Sequence, residues 1–260
     1  MSRLIRLIIP AAGAGTRMGL TYPKTLFPVA GKPILWHILA ATEGLVDASR
    51  IVVSPSGIPA IQEFLAATLW RHAQTVVQEK PIGMADAVWV GLNAFDDAAS
   101  CDYLIIWGDH VTVRRETLAQ VIAHHRATGA AITFPTSRRE SPYIHIERDQ
   151  SGRVRNVLEA REGDSLPSEG ESDCGVFLAR GEWLRQGLSD LRARTIDPTR
   201  QRFGRLDGRT SATGEFNFLP LITLWAEQGK LVQAVCVAML KETRGINTQQ
   251  EARDVEQLIQ

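Results

Sequence analysis

The chain has 260 residues, enough for one large α/β domain with a substantial buried core, and its 29 lysines and arginines balance its 29 aspartates and glutamates. No overall field therefore favours nucleic acid or an anionic membrane surface, and the expected partner is a small metabolite. No apolar stretch approaches the ~20 residues that span a bilayer, and Pro10 breaks the run from Met1 to Ile9 before a signal-peptide core is long enough; a soluble, cytoplasmic protein is expected.

Leu4 to Ile9 is a continuous apolar run, the pattern of a strand buried on both faces of a parallel sheet. Pro33 fits a first helical turn continued by Ile34 to Ala41. Ile51-Val52-Val53 reads as a strand, Ile61 to Trp70 as a helix, Thr75 to Gln78 as a strand, Met84 to Leu92 as a helix, and Tyr103 to Trp107 as a strand ending at Gly108-Asp109. Between Glu116 and His125, helical spacing puts Leu118, Val121, Ile122 and His125 on one face. Repeated strand-helix units predict a Rossmann-like, mostly parallel α/β sheet with helices on both faces and ligands at the carboxyl ends of the strands.

After about Thr133 the pattern changes. Tyr143 to Glu147 and Val154 to Leu158 alternate on either side of the turn-like Asp149-Gln150-Ser151-Gly152, which predicts a hairpin or meander in a small β-rich region that covers the site and holds a second substrate. The stretch from Asp190 to Arg209 carries six arginines and three aspartates and reads either as a solvated loop or as a flap whose arginines meet a phosphate. Helical signals return at Phe216 to Gln228, a strand follows at Leu231 to Val237, and a last helix runs from Gln249 to Ile259. One domain over 1–260 is expected, with a nucleotide-binding part over about 1–133, an acceptor-binding part over about 134–247 and a C-terminal helix over 248–260.

The chemistry concentrates in Leu7-Ile8-Ile9-Pro10-Ala11-Ala12-Gly13-Ala14-Gly15-Thr16-Arg17-Met18-Gly19, followed by Tyr22-Pro23-Lys24. Small residues let successive backbone N–H groups approach anionic oxygens, while Arg17 offers a planar fork and Lys24 a point charge, a set suited to a polyphosphate. It is not a dinucleotide fingerprint, because Met18 stands where the third glycine belongs. Nor is it a Walker loop, because Leu26 replaces its first glycine and Pro33 its hydroxyl residue. Asp109, at a strand end, can hold a divalent cation, magnesium if the partner is a nucleoside triphosphate, or can serve as a turn or cap. The three cysteines and six histidines show no metal-ligand spacing; Cys101 and Cys236 read as core. No G-x-S-x-G elbow is present.

Gly13, Gly15, Thr16, Arg17, Met18, Pro23, Lys24, Gly31, Lys32 and Pro33 together resemble the G-x-G-T-R-M, P-K and G-K-P signature of the nucleotidyltransferases that make nucleotide-sugars. The resemblance covers most of the chain, and in particular is to the uridylyltransferase domain that acts on N-acetylglucosamine 1-phosphate. It implies transfer of a nucleoside monophosphate from a nucleoside triphosphate, a pyrimidine one with UTP favoured, to a phosphorylated small molecule such as a sugar 1-phosphate, with magnesium as cofactor and pyrophosphate released. By the match, Arg17 and Lys24 are catalytic, and Ala11, Ala12, Gly13, Ala14, Gly15 and Thr16, with Gln78, Gly83 and Met84 of the base-reading segment, bind the nucleotide. Gly108-Asp109 and Gly245-Ile246-Asn247 match the family's metal aspartate and asparagine, although Asn247 could instead cap the helix that follows. On the acceptor side Tyr143, Glu159, Asp173 and Glu215 stand at family positions. Departures gather there: Asp173-Cys174-Gly175 replaces N-T-G, Pro142-Tyr143-Ile144 lacks the glycines of G-Y-G, and Asn217 and Pro220 replace an aromatic and an aspartate. An N-acetylhexosamine phosphate is therefore in doubt. A cytidylyltransferase of the polyol-phosphate, phosphocholine or phosphonate type, and an inactive nucleotide-sugar sensor, remain alternatives.

Overall fold

A computed structural model describes residues 3–13, 15, 18–70, 72–96 and 100–259. The first strand, β1 (Ile5–Pro10), empties into the small-residue loop, which is followed by a 3-10 turn (Lys24–Leu26), the short strands β2 (Pro28–Val29) and β3 (Lys32–Pro33), and helix α1 (Ile34–Thr42). Pro33 caps α1 from outside rather than opening it, with ψ at 148°. Then come β4 (Ala48–Val53), α2 (Ile58–Ala66), β5 (Ala73–Val77), α3 (Met84–Asn93), β6 (Asp102–Ile106) and α4 (Arg115–Thr128). Helix α2 starts earlier and stops sooner than the predicted Ile61 to Trp70. Pro59 opens it, and Trp70 instead packs edge-on against Trp36 with ring centroids 5.9 Å apart.

The second half has β7 (Ile132–Glu140), the hairpin β8 (Ile144–Arg148) and β9 (Val154–Glu159), then β10 (Glu169–Asp173), β11 (Val176–Arg180) and α5 (Gly181–Thr195). The chain closes with β12 (Ile196–Asp197), β13 (Arg202–Phe203), α6 (Pro220–Glu227), β14 (Val232–Cys236) and α7 (Gln249–Ile259). The sheet runs β10-β7-β11-β6-β1-β4-β5, with β14 beside β7. The β1/β4, β1/β6, β4/β5 and β7/β14 pairs are parallel, while β11 enters antiparallel between β6 and β7.

Side-chain alternation explains why the strands read as unbroken apolar runs. Leu7 and Ile9 of β1 join Ile34 and Ile38 of α1, Leu118 of α4 and Val255 of α7 on one face; Ile8 joins Val88 and Leu92 of α3, Leu188 of α5 and Trp225 of α6 on the other. Helices cover both faces, and at ~1.5–3 kcal/mol per fully buried aliphatic side chain this double burial drives the fold. Leu118, Val121, Ile122 and His125 are all buried, as the spacing predicts. Cys101 is buried, but Cys236, read from its apolar context as core, is exposed at the end of β14. Among the described residues no helix is long and apolar enough to cross a membrane.

Candidate active site

Lys24, Asp109 and Asn247 come from three distant parts of the chain and meet beyond the carboxyl ends of β1 and β6. Lys24 Nζ donates to Asp109 Oδ2 at 2.9 Å and to Asn247 Oδ1 at 3.1 Å. The approach of the strand ends makes this possible: Gly108 N donates to Pro10 O at 3.1 Å, which sets the loop after β6 directly against the loop after β1. Gly15 adopts φ +61°, where a side chain is disfavoured, and a Cβ there would stand 3.3 Å from Lys24 Cβ. Gln249 Nε2 donates to Met18 O at 3.0 Å and ties α7 to the same loop. The residues Ala14, Thr16 and Arg17, assigned to this loop from the sequence, lie outside the described residues.

Burial pushes the Asp109 carboxyl up, but the Lys24 ammonium, with His110 beside it, more than offsets this and holds the group below the usual carboxylate range. His110 Nε2 lies 3.7 Å from Asp109 Oδ1. Ile246 N donates to Asp109 O at 3.0 Å, so the segment carrying Asn247 is laced to the segment carrying the aspartate. Asn247 does not cap the last helix. Thr248 does, with Glu251 N donating to its Oγ1 at 3.1 Å and Glu251 Oε2 accepting from Thr248 N at 2.8 Å and Asn247 N at 2.7 Å. This capping box leaves the Asn247 side chain to the cluster. Two oxygens, one of them an ionised carboxylate, thus converge on a single cationic point, and an all-oxygen donor pair of this kind fits magnesium rather than a softer metal.

A second set of sequence-assigned residues lies along the loop after β5. Gln78 is buried, and its Nε2 donates to Asp86 Oδ2 at 2.8 Å and Gly83 O at 3.3 Å. Gly83 has φ +138°, and a Cβ there would fall 2.4 Å from Phe216 O, so the irregular segment around Phe216 can press against it only because the residue is glycine. Phe216 N donates to Ile82 O at 2.7 Å and Ala85 N to Phe216 O at 2.9 Å, so the start of α3, with Met84, is clamped to the acceptor half.

Glu159, at the end of β9, is 4% exposed; burial pushes its carboxyl up despite Arg161, whose Nε donates to Glu159 Oε2 at 3.1 Å. The same guanidinium donates to Asn217 Oδ1 and lies 3.6 Å from Glu215 Oε2, which draws Glu215 to Glu159. Ala160 N donates to the carbonyl of Tyr143, an exposed side chain, across the β8/β9 hairpin. Asp173 is buried and pushed up by that burial, although its Oδ2 accepts from Gly175 N at 2.9 Å. The structure therefore gathers Tyr143, Glu159 and Glu215 at the hairpin end.

Sequence reasoning missed the hub that makes this arrangement. Glu162 accepts from Ser211 Oγ at 2.8 Å, Ala212 N at 2.9 Å, Thr213 Oγ1 at 2.7 Å and Asn217 Nδ2 at 3.2 Å. Arg205 Nη2 meets both oxygens of Asp164 at 2.8 and 3.0 Å. The arginine-rich stretch is thus neither solvated throughout nor a free flap. It is helix as far as Thr195, a two-residue pairing of β12 with β13, and then a loop pinned by its arginines to acids after β9. Glu159, Glu162, Asp164, Arg205, Glu215 and Asn217 border a cavity of about 270 Å³ between this loop and β9.

Proteins named bifunctional protein GlmU are similar along most of the chain. That of Desulfotalea psychrophila is 28% identical over 252 residues, 95% of this chain and 68% of the relative. That of Geobacter metallireducens is 32% identical over 246 residues, 92% of this chain and 47% of the relative. That of Mycobacterium tuberculosis strain CDC 1551 is 35% identical over 193 residues, 71% of this chain and 39% of the relative. The chain spans between about two fifths and two thirds of the length of these relatives. Residues 7–172, which include β1, the small-residue loop, Lys24, Gln78, Asp109 and Glu159, match the MobA-like NTP transferase domain, and the chain belongs to that family.

Proposed function

We propose that this protein transfers a nucleoside monophosphate from a nucleoside triphosphate to a phosphorylated small molecule such as a sugar 1-phosphate. The observation that carries the reading is the convergence of Lys24, Asp109 and Asn247 on one point beyond the ends of β1 and β6. An oxygen of the acceptor phosphate attacks the α-phosphorus, the bond from that phosphorus to the oxygen bridging it to the β-phosphate breaks, and pyrophosphate leaves with the electron pair. No proton need move and no covalent enzyme intermediate forms, so catalysis rests on positioning and charge. Arg17 and the backbone of Gly13 to Gly15 hold the leaving pyrophosphate. Lys24, released from Asp109 and Asn247, turns its ammonium to the reacting phosphates. Asp109 and Asn247 would hold a magnesium ion, which would supply neutralisation of the charge that builds on the phosphates.

With both of its N–H groups engaged by Asp86 and Gly83, Gln78 offers its Oε1 to a base. An acceptor oxygen there suits an N–H group of a base, and the resemblance to uridylyltransferases favours a pyrimidine donor, UTP first. Burial raises the carboxyls of both Glu159 and Asp173, and these two acids suit the hydroxyls of a polyhydroxylated acceptor.

Thermal unfolding with magnesium and UTP, CTP, dTTP, GTP or ATP in turn tests the donor, because a ligand that binds only the folded state raises the midpoint. A large shift with one pyrimidine triphosphate is expected. No shift with any of the five would refute the triphosphate site.

A further inference from the structure

Glu242 is 1% exposed, yet no cation neutralises it among its hydrogen-bond partners in the described residues. Its Oε1 accepts from Thr117 Oγ1 at 3.0 Å and from Met239 N at 2.8 Å, and its Oε2 from Arg114 N at 3.0 Å. Arg114 is the N-cap residue of α4 and Thr117 lies in its first turn, and the cap makes no side-chain hydrogen bond of its own. The amino end of a 14-residue helix carries unsatisfied N–H groups and partial positive charge, so a carboxylate belongs there. A serine or aspartate at position 114 would cap the helix locally. Here an arginine occupies that position, and the acid is supplied from 128 residues further along the chain.

The origin of that acid matters more than the cap. Glu242 stands five residues before Asn247, and Arg114 five residues after Asp109. Two lesser ties run alongside: Thr112 Oγ1 donates to Lys241 O at 2.9 Å, and Ile246 N to Asp109 O at 3.0 Å. Of the three, only the Glu242 contact is buried and charged, and it joins the segment bearing Asn247 to α4, which Leu118 and Val121 anchor in the core.

We propose that Glu242 is a positioning residue: it fixes Asn247 in register with Asp109, so that their two oxygens converge on the point now held by Lys24. This rests on the reading of that point as the place where cation and phosphates meet. Its consequence is specific. Losing Glu242 should weaken the coupling between metal and nucleotide, while leaving the binding of nucleotide alone, which depends on the β1 loop and Gln78, as it was.

The test is calorimetric titration of the full chain with UTP, or with whichever triphosphate the stability panel selects, once in EDTA and once with saturating Mn²⁺. The ratio of the two affinities is the metal-induced gain. In Glu242→Gln the amide N–H₂ must face an N–H or hydroxyl donor, so at least one of the three bonds is lost. The gain should fall by about tenfold, the lower end of the effect of removing groups that orient metal ligands, with the affinity in EDTA unchanged. Thr117→Val, which deletes one donor and keeps the charge, should show a smaller loss of the same kind and stands in if Glu242→Gln does not fold. A wild-type gain in either folded variant, or an equal loss with and without metal, would overturn the proposal. If the wild-type protein binds UTP with no metal-induced gain at all, the metal reading of Asp109 and Asn247 fails, and the proposal with it.

Discussion

At the ends of β1 and β6 each functional group sits in its own short motif: Lys24 after the small-residue loop, Asp109 after Gly108, and Asn247 one residue before the Thr248 cap. At the hairpin end the groups are organised by charged residues after β9 whose partners lie on another loop. Arg161 reaches Asn217, 56 residues on, Glu162 reaches Ser211, 49 residues on, and Arg205 reaches back 41 residues to Asp164. The first arrangement uses the sheet itself as the ruler, because parallel strands end together and deliver their loops to one place. The second uses ion pairs and hydrogen bonds to fasten a loop with little sheet of its own. The first should tolerate little chemical change, while the second is a place where a different acceptor can be accommodated by altering a few contacts.

The largest effects are expected in the first region. Lys24→Ala and Asp109→Ala should fold normally, yet turn over ~10²–10³-fold more slowly, the usual cost of removing one preorganised charge from such a site. Turnover near that of the wild type in either would refute their assignment.

His125 serves as a control that belongs to neither region. It is buried at the far end of α4, with its Nδ1 2.9 Å from Thr133 Oγ1, and burial with the nearby arginines lowers its pKa from 6.5 to about 4. Below pH 6.5 the unfolded chain binds a proton that the folded chain refuses until about pH 4, so stability falls as the pH drops through that window. At 1.36 kcal/mol per unit the loss approaches about 3 kcal/mol. Asp102, pushed up by burial against the pull of Arg3, works in the opposite direction as it takes its proton. Denaturant unfolding of the wild type and His125→Gln at several pH values separates the two: the difference between them should shrink from pH 7 to pH 4, and activity at pH 7 should barely change.

Gly83→Ala sharpens the boundary between the regions. A Cβ would clash with Phe216 O at φ +138°, for a cost of about 1–3 kcal/mol, or a few degrees in the melting midpoint. Because Gln78 donates to the Gly83 carbonyl, nucleotide affinity should drop too. Within the second region, Glu162→Ala leaves Ser211, Ala212 and Thr213 without their common acceptor, which should cost about 1–3 kcal/mol. Steady-state kinetics should then show a raised KM for the acceptor and an unchanged KM for the triphosphate. Equal effects on both would remove the distinction drawn between the regions.

Legibility in the sequence followed the same division. Double burial writes long apolar runs, so β1 and β6 can be placed within a residue, the apolar Ile51–Val53 marks only the second half of β4, and the 3.6-residue spacing marks α4. Strands β10 and β11 were not read, because Glu169–Asp173 has no apolar pattern and Val176–Arg180 is short and is inserted antiparallel between strands distant in the chain. Helix α5 has its apolar positions Leu184, Leu188 and Leu191 spaced among polar and charged residues, and its last turns run into the arginine-rich stretch from Asp190 that reads as a loop. Asn247 was ambiguous as a cap, although the T-x-x-E signature of Thr248 and Glu251 was there to assign the cap elsewhere. Cys236 shows the limit of local context: apolar neighbours mark a strand, but which face meets solvent is decided by what packs on it. The hubs at Glu162 and Glu242 have no such signature, since a buried acid and a surface acid are written with the same letter.

The point between Asp109 and Asn247, held by Lys24, is where we propose that a triphosphate reacts. The most direct test is pyrophosphate release by the wild-type protein and by Lys24→Ala, with magnesium, UTP or CTP, and a panel of sugar 1-phosphates and other phosphorylated acceptors. Release that requires an acceptor and falls at least ~10²-fold in the variant is the predicted result. Release that is equal in the two proteins would contradict the account.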